Sequence, residues 1–228
     1  MNRDDQKRAA GEAAAALVAP GMVVGLGTGS TAYWFVKALA ARAIAVTCVA
    51  TSRETEALAD RLGLRRIDLD AAGTIDLTVD GADQIGPGLA LIKGGGGALT
   101  REKLVWEASA RCVAIADESK RQAPFGAIGL PVDVVPFGHE GTARRIARAL
   151  EQSGIDAVPR LRAEAGAPFV TDNGNLIYDI ACGAIADPSA LAARLKAITG
   201  VVEHGLFLGL ASEALIGTAS GVVRLTAD

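Results

Sequence analysis

Met22-Val23-Val24-Gly25-Leu26-Gly27-Thr28-Gly29-Ser30-Thr31 is an apolar run that turns into glycines and hydroxyl residues, and Ala32 to Ala41 after it has helix-forming composition. The order is strand, glycine loop, helix. A helix N-terminus just beyond a buried strand offers unpaired N–H groups and a positive dipole end that suit a phosphate, with the hydroxyls of Thr28, Ser30 and Thr31 beside it. The same residues also describe a tight βα turn in which Ser or Thr caps the helix. A dinucleotide site fits less well. The spacing Gly25-x-Gly27-x-Gly29 lacks the third glycine of that fingerprint, and the next strand, Ile44 to Ala50, ends in Thr51-Ser52 where a ribose would call for an acidic residue.

Working outward, Asp4 to Val18 reads as a helix stopped by Pro20-Gly21, and Arg53 to Leu62 as a helix capped by Thr51 or Ser52. Strands are expected at Leu64 to Leu69 and Thr74 to Val79, the second ending in Asp80-Gly81-Ala82-Asp83. Two carboxylates at a strand's end suit acid–base work in a crevice, although Asp-Gly is also an ordinary turn. Next comes Leu89 to Lys93, then Gly94-Gly95-Gly96-Gly97, then a helix from Ala98 to Ala110. Glycines lose the most backbone entropy on folding, so a run of them calls for close backbone approach or positive φ. Lys93 stands before the run and Glu102 in the first turns of the helix after it. A cation, free N–H groups and a carboxylate are the parts that hold an oxyanion and move a proton beside it. For Glu102 the plainer reading is a surface helix residue in a charge pattern.

With Cys112 to Ala116 as a further strand, strands and helices alternate through the first half, which predicts right-handed crossovers and a Rossmann-like, largely parallel sheet with helices on both faces. The loops 27–31, 80–83 and 93–96 then gather at one edge of that sheet. After Pro124 the pattern changes: a strand at Leu130 to Val135, a helix at Gly141 to Ser153, a hairpin over Phe169 to Ile180 turning at Asp172-Asn173-Gly174-Asn175, a helix at Ser189 to Ile198 and a strand at Val201 to Phe207. That is the β-α-β-β-α-β order of a ferredoxin-like α+β unit. The expected division is a main domain of residues 1–129 and 208–228, joined by the chain's return near Ala214 to Leu225, and a smaller domain of 130–207 inserted near the C-terminus. Arg144, Arg145 and Arg148 read as a solvated helix face.

Composition narrows the function. The chain has 228 residues and a net charge of −3, which leaves no electrostatic footprint for nucleic acid or an anionic membrane. Neither a secretory leader nor an uninterrupted membrane-length apolar stretch is present, so the expected location is the cytoplasm. Cys48, Cys112 and Cys182 lack metal or disulfide spacing and are expected in the core, and His139 and His204 lie in segments without site character. No metal site is expected.

The motifs Gly-Leu-Gly-Thr-Gly-Ser-Thr at 25–31, Val-Asp-Gly-Ala-Asp at 79–83, Ile-Lys-Gly-Gly-Gly at 92–96, Ala-Leu-Thr-Arg-Glu-Lys at 98–103 and Val-Thr-Asp-Asn-Gly-Asn at 170–175 together resemble the ribose-5-phosphate isomerase A family. The resemblance runs from the first helix to Leu215-Ile216-Gly217-Thr218. It implies interconversion of ribose 5-phosphate and ribulose 5-phosphate through an enediolate, without metal or organic cofactor, in a homodimer or homotetramer. It also implies Glu102 as the base moving a proton between C1 and C2. The residue chemistry agrees: Lys93 and the glycine N–H groups would stabilise the developing charge, and Asp80 is the candidate for proton transfer at the sugar hydroxyls, including ring opening, with Asp83 sharing that work. Sugar-phosphate contacts would come from Thr28, Gly29, Ser30, Thr31, Gly81, Ala82, Gly94, Gly95, Gly96 and Lys120. The inserted domain would serve oligomerisation. Gln84 departs from the acidic residue expected there, Gly97 lengthens the glycine run, and Gln122 to Gly129 does not align. A sugar-phosphate sensor without turnover is the alternative; a sugar-phosphate deaminase or a coenzyme A transferase ranks below it.

Overall fold

The computed structural model describes residues 1–226; the last two residues of the segment 208–228 lie outside the described residues. Helix α1 (Arg3–Ala15) opens the chain behind a capping box made by Asn2 and Asp5. Strand β1 (Val23–Leu26) and helix α2 (Ser30–Ala41) follow, then β2 (Thr47–Ala50) and α3 (Arg53–Arg61), which Ser52 caps by accepting from the Thr55 N–H. The predicted strand over Leu64–Leu69 does not form. Two backbone bonds join that segment to Cys48 before the chain leaves the sheet at Asp68, the residue preceding the one-turn helix α4 (Leu69–Ala72).

Strand β3 (Leu77–Gly81) leads to a small hairpin, β4 (Gln84–Ile85) and β5 (Leu91–Ile92), and then to α5 (Leu99–Glu107) and β6 (Cys112–Asp117). The glycine run therefore does not follow a strand of the main sheet. Strand β5 lies in a separate antiparallel sheet, because the nine residues from Ala82 to Ala90 are too few for a parallel crossover, which needs about a dozen or more.

The second half continues with β7 (Leu130–Val134), α6 (His139–Glu151), the short strands β8 (Arg160–Leu161), β9 (Ala163–Glu164) and β10 (Ala167–Pro168), β11 (Leu176–Ile180), α7 (Pro188–Lys196), β12 (Val201–His204) and β13 (Leu206–Phe207). The turn at 172–175 forms as expected, but the arm before it pairs with β11 only at Val170, and β8 is the neighbour of β11 on that side. Pro168, which has no N–H to give a ladder, instead closes a hairpin of β10 on β9. The strand predicted over Val201–Phe207 breaks at Gly205, whose carbonyl accepts from the Lys93 N–H; the residues beyond it join β5 as β13. The chain ends in the hairpin β14 (Glu213–Thr218) and β15 (Gly221–Thr226).

The main sheet has the order β15-β14-β6-β3-β1-β2, parallel except for the β14–β15 hairpin. One face packs Val24, Leu26, Leu77, Val79 and Ile115 against Phe35, Val36 and Leu39 of α2 and the alanines of α1; the other turns Ala114, Ala116 and Ile216 toward Trp106 and Phe207. The chain runs outward from β1 to β2 but crosses to the other side for β3, so the carboxyl ends of β1 and β3 flank the point where such sheets place ligands. The second sheet, β12-β7-β11-β8, is antiparallel and has the ferredoxin-like order. Its even-numbered residues, Leu130, Val132, Val134, Tyr178 and Ile180, pack with Ile146, Leu150, Leu191 and Leu195 of α6 and α7. By the two-residue period of a strand, Pro131, Asp133, Ile177 and Asp179 belong to the opposite face. All three cysteines are buried, Arg144, Arg145 and Arg148 are exposed, and among the described residues no helix is long and apolar enough to cross a membrane.

Candidate active site

At the switch point the β1 loop is bonded to the end of β3. Gly27 N–H donates to the Val79 carbonyl at 2.9 Å and Thr28 N–H to Asp80 Oδ1 at 3.0 Å. Gly27 has to be glycine, since a Cβ there would stand 2.2 Å from Asp80 Oδ1. Gly29, at φ 99°, turns the chain into α2, whose N-terminus has no side-chain cap and so keeps its N–H groups free.

The three loops meet around a cleft of about 80 Å³ lined by Thr28, Gly29, Ser30, Thr31, Gly81, Ala82, Asp83, Lys93, Gly94, Gly95, Gly96, Glu102 and Lys120. Thr28 contributes backbone and methyl rather than a free hydroxyl. Its Oγ1 lies 2.7 Å from Thr51 Oγ1, 2.8 Å from Ser52 Oγ and 3.2 Å from Thr55 Oγ1, in a network that ties the loop to α3. The Ser30 and Thr31 hydroxyls have no partner among the described residues.

Lys93 is the electrostatic centre. Its Nζ lies 3.0 Å from Asp80 Oδ2 and 3.1 Å from Glu102 Oε1, donates also to the Gly81 carbonyl, and stands over the rings of Trp106 and Phe207 at 5.7 and 5.5 Å. Burial works against its charge, but the two carboxylates outweigh that and hold its pKa above the usual lysine value. Glu102 is 5% exposed, and its Oε2 is buried without a hydrogen-bond partner. Burial, with the Asp80 charge added, pushes its pKa up to about 8 against the opposing pull of Lys93. Such a carboxyl takes and returns a proton near neutral pH.

Asp80 does not reach the cleft. It is fully buried, and its oxygens are taken by the N–H groups of Thr28 and Gly81, by Trp106 Nε1 at 3.3 Å and by Lys93. The expectation that it serves sugar hydroxyls gives way to a role in fixing Lys93 and the β1 loop. Asp83 lines the cleft instead, accepting from the Gly95 N–H at 2.8 Å.

Sequence reading missed Trp106, Phe207, Arg162 and the part played by Gln84. Trp106 had a signal, four residues after Glu102 on the same helix face. Gln84 is fully buried; its Nε2 donates to the carbonyls of Gln122 and Pro124 at 2.6 and 2.8 Å, and its Oε1 accepts from the Gly126 N–H at 2.8 Å. The departure at 84 and the unaligned segment are thus one feature. An acidic side chain at neutral pH would have no N–H for those two carbonyls.

Together these features define a class: an α/β protein with a small polar cleft at the switch point of its sheet, in which a buried carboxyl stands beside a fixed ammonium. Comparison narrows the class. The family model of ribose 5-phosphate isomerase A (phosphoriboisomerase A) matches residues 47–221. The chain is 62% identical over 226 residues to ribose-5-phosphate isomerase A of Caulobacter vibrioides strain NA1000, covering 99% of both chains. The solved ribose 5-phosphate isomerase from Plasmodium falciparum superposes with a TM-score of 0.92 at 34% identity, over 98% of each chain. A solved D-ribose-5-phosphate isomerase in complex with phospho-erythronic acid gives 0.91 at 33% identity, over 99% of this chain and all of that one. This chain belongs to the ribose 5-phosphate isomerase A family and is an isomerase.

Proposed function

We propose that the protein interconverts D-ribose 5-phosphate and D-ribulose 5-phosphate through an enediolate, as a cytoplasmic enzyme of the non-oxidative pentose phosphate pathway. The observation that carries this reading is the Glu102 carboxyl, buried at the cleft with one oxygen on Lys93 and the other unpartnered. Starting from the aldose, Glu102 takes the C2 proton while the C1 carbonyl oxygen gains negative charge. The enediolate then forms beside Lys93 and the glycine-run N–H groups. Return of the proton to C1, with the O2 proton passing to O1, gives the ketose. Net atoms are unchanged, so the reaction as proposed calls for no cofactor. Ser30, Thr31 and the α2 N-terminus receive the phosphate with Lys120 at the cleft wall, and Asp83 is placed for proton transfer at the sugar hydroxyls, including ring opening. Phospho-erythronic acid, the ligand of the solved relative, joins a carboxylate to a phosphate and so pairs two oxygens with a phosphate as an enediolate would.

The division into residues 1–129 with 208–228 and an inserted domain of 130–207 belongs to the same proposal. So does assembly of a homodimer or homotetramer through the inserted domain, whose Phe137 is 95% exposed. The test is to incubate EDTA-treated protein with ribose 5-phosphate and follow ribulose 5-phosphate, with Glu102→Gln beside it. Turnover by the wild type and a loss of about a thousandfold in the variant are expected, within the range for a missing general base. Binding without conversion by the wild type would overturn the isomerase reading in favour of a sensor.

A further inference from the structure

The glycine run rests against the inserted sheet, and one side chain there takes hold of its backbone. Arg162 directly follows β8, where its own N–H donates to the Ile177 carbonyl at 2.8 Å and its carbonyl accepts from the Phe169 N–H at 2.9 Å. Its guanidinium makes a two-point pair with Asp179, Nε to Oδ2 at 2.9 Å and Nη2 to Oδ1 at 2.6 Å. That pair leaves Nη1 free, and Nη1 donates to the carbonyls of both Gly94 and Gly95 at 3.1 Å. Phe169, 5.7 Å beneath the guanidinium, presses on the run as well, since a Cβ at Gly97 would stand 2.4 Å from its ring.

A trans peptide sets its C=O and N–H on opposite sides. Holding the Gly94 and Gly95 carbonyls toward Arg162 therefore turns the N–H groups of Gly95 and Gly96 the other way. The first of these donates to Asp83, which lines the cleft; the second belongs to a residue that lines the cleft and has no partner among the described residues. Glycine has no side chain to enforce this orientation. We infer that Arg162, anchored by Asp179, is a positioning residue for the reaction, holding two peptide units of the glycine run so that the Gly96 N–H faces the developing oxyanion and the Gly95 N–H holds Asp83. Lysine could not replace it, because one ammonium cannot reproduce the fork that grips a carboxylate and two carbonyls together.

The inference rests on the proposed isomerase reading, so the experiment separates the two. Arg162→Met and Arg162→Lys are assayed with ribose 5-phosphate, and their binding of phospho-erythronic acid and of inorganic phosphate is measured by calorimetry. Removing a whole oxyanion donor costs about 10²–10³ in kcat, so misaligning one should cost roughly 10- to 100-fold. Both variants should lose that much in kcat with KM nearly unchanged. Phospho-erythronic acid should bind more weakly by a similar factor, while phosphate affinity and melting temperature hold. Asp179→Asn, which loosens the anchor but keeps the guanidinium, should move the same quantities by a smaller factor. Unchanged kcat and analogue affinity in Arg162→Met would overturn the inference. So would parallel losses of phosphate affinity and melting temperature, which describe a merely structural residue. If the wild type binds phospho-erythronic acid but turns nothing over, the isomerase reading fails, and the analogue affinities still decide the role of Arg162. If the wild type binds no analogue, both fail.

Discussion

Glu102 shows how much of a residue's chemistry is set by what surrounds it. The sequence supplies a carboxylate in a helix's first turn, an unremarkable position with a plain surface reading. Burial, with the Asp80 charge added, raises the pKa of that group to about 8 against the pull of Lys93. A general base has to be ionised in the free enzyme, so kcat/KM for ribose 5-phosphate is expected to fall tenfold per pH unit below about 8 and to level off above it. A pH–rate profile checks this. A plateau reaching down to pH 6 would mean that Lys93 holds Glu102 ionised and that burial does not dominate.

The element that carries Glu102, α5, is tied to the second half of the chain through nearly every residue of one turn. Thr100 Oγ1 donates to Asp133, Arg101 Nε to Asn173 at 2.9 Å, and Lys103 Nζ to Glu203 at 2.7 Å and to the carbonyls of His204 and Leu206. Glu102 is the member of this turn left to face the cleft. At the same scale, Gln84 of β4 orders the segment 122–126 just beyond Lys120. Gln84→Glu sets a buried carboxylate against two carbonyls it cannot bond, a change expected to cost about 1–3 kcal/mol. Faster proteolytic cleavage between Arg121 and Gly129, with a raised KM for ribose 5-phosphate, is the expected result. A cleavage pattern and KM equal to wild type would show that the segment orders itself.

Across the whole molecule, acid stability divides between buried groups of opposite sign. Burial, with the Lys103 charge beside it, pushes the His204 pKa down to about 4, so the fold keeps it neutral. Its contribution is present above the ordinary histidine value near 6.5 and is lost as pH falls from there toward 4. Burial instead pushes Asp133 up to about 6, despite its bond from Thr100, so its contribution is present below about 4 and is lost as pH rises through 6. The two oppose each other between pH 4 and 6. Asp133→Asn should therefore raise the melting temperature at pH 8 by about 2–4 °C, roughly 1 kcal/mol for a chain of this size, and steepen the decline from pH 6 to 4. Melting curves at pH 4, 6 and 8 check both parts, and a lower melting temperature at pH 8 would show the carboxylate well solvated by its neighbours.

What the sequence determined by itself was local or periodic. Alternating strands and helices specified the parallel sheet, Gly27 to Thr31 and Asp80 to Asp83 marked its ligand edge, and the β-α-β-β-α-β order specified the type of the second sheet, though not that β8 is its edge strand. These follow from side-chain period, turn chemistry and helix caps, which act over a few residues. The tertiary structure alone decided the rest: that β5 leaves the main sheet, that Asp80 turns inward while Asp83 faces the cleft, that the Thr28 hydroxyl is spent on α3, and that Arg162 reaches the glycine run 67 residues away in sequence. Each depends on which groups compete for the same few polar partners once water is gone. That competition is settled by packing between distant segments, and no spacing within any one of them records it.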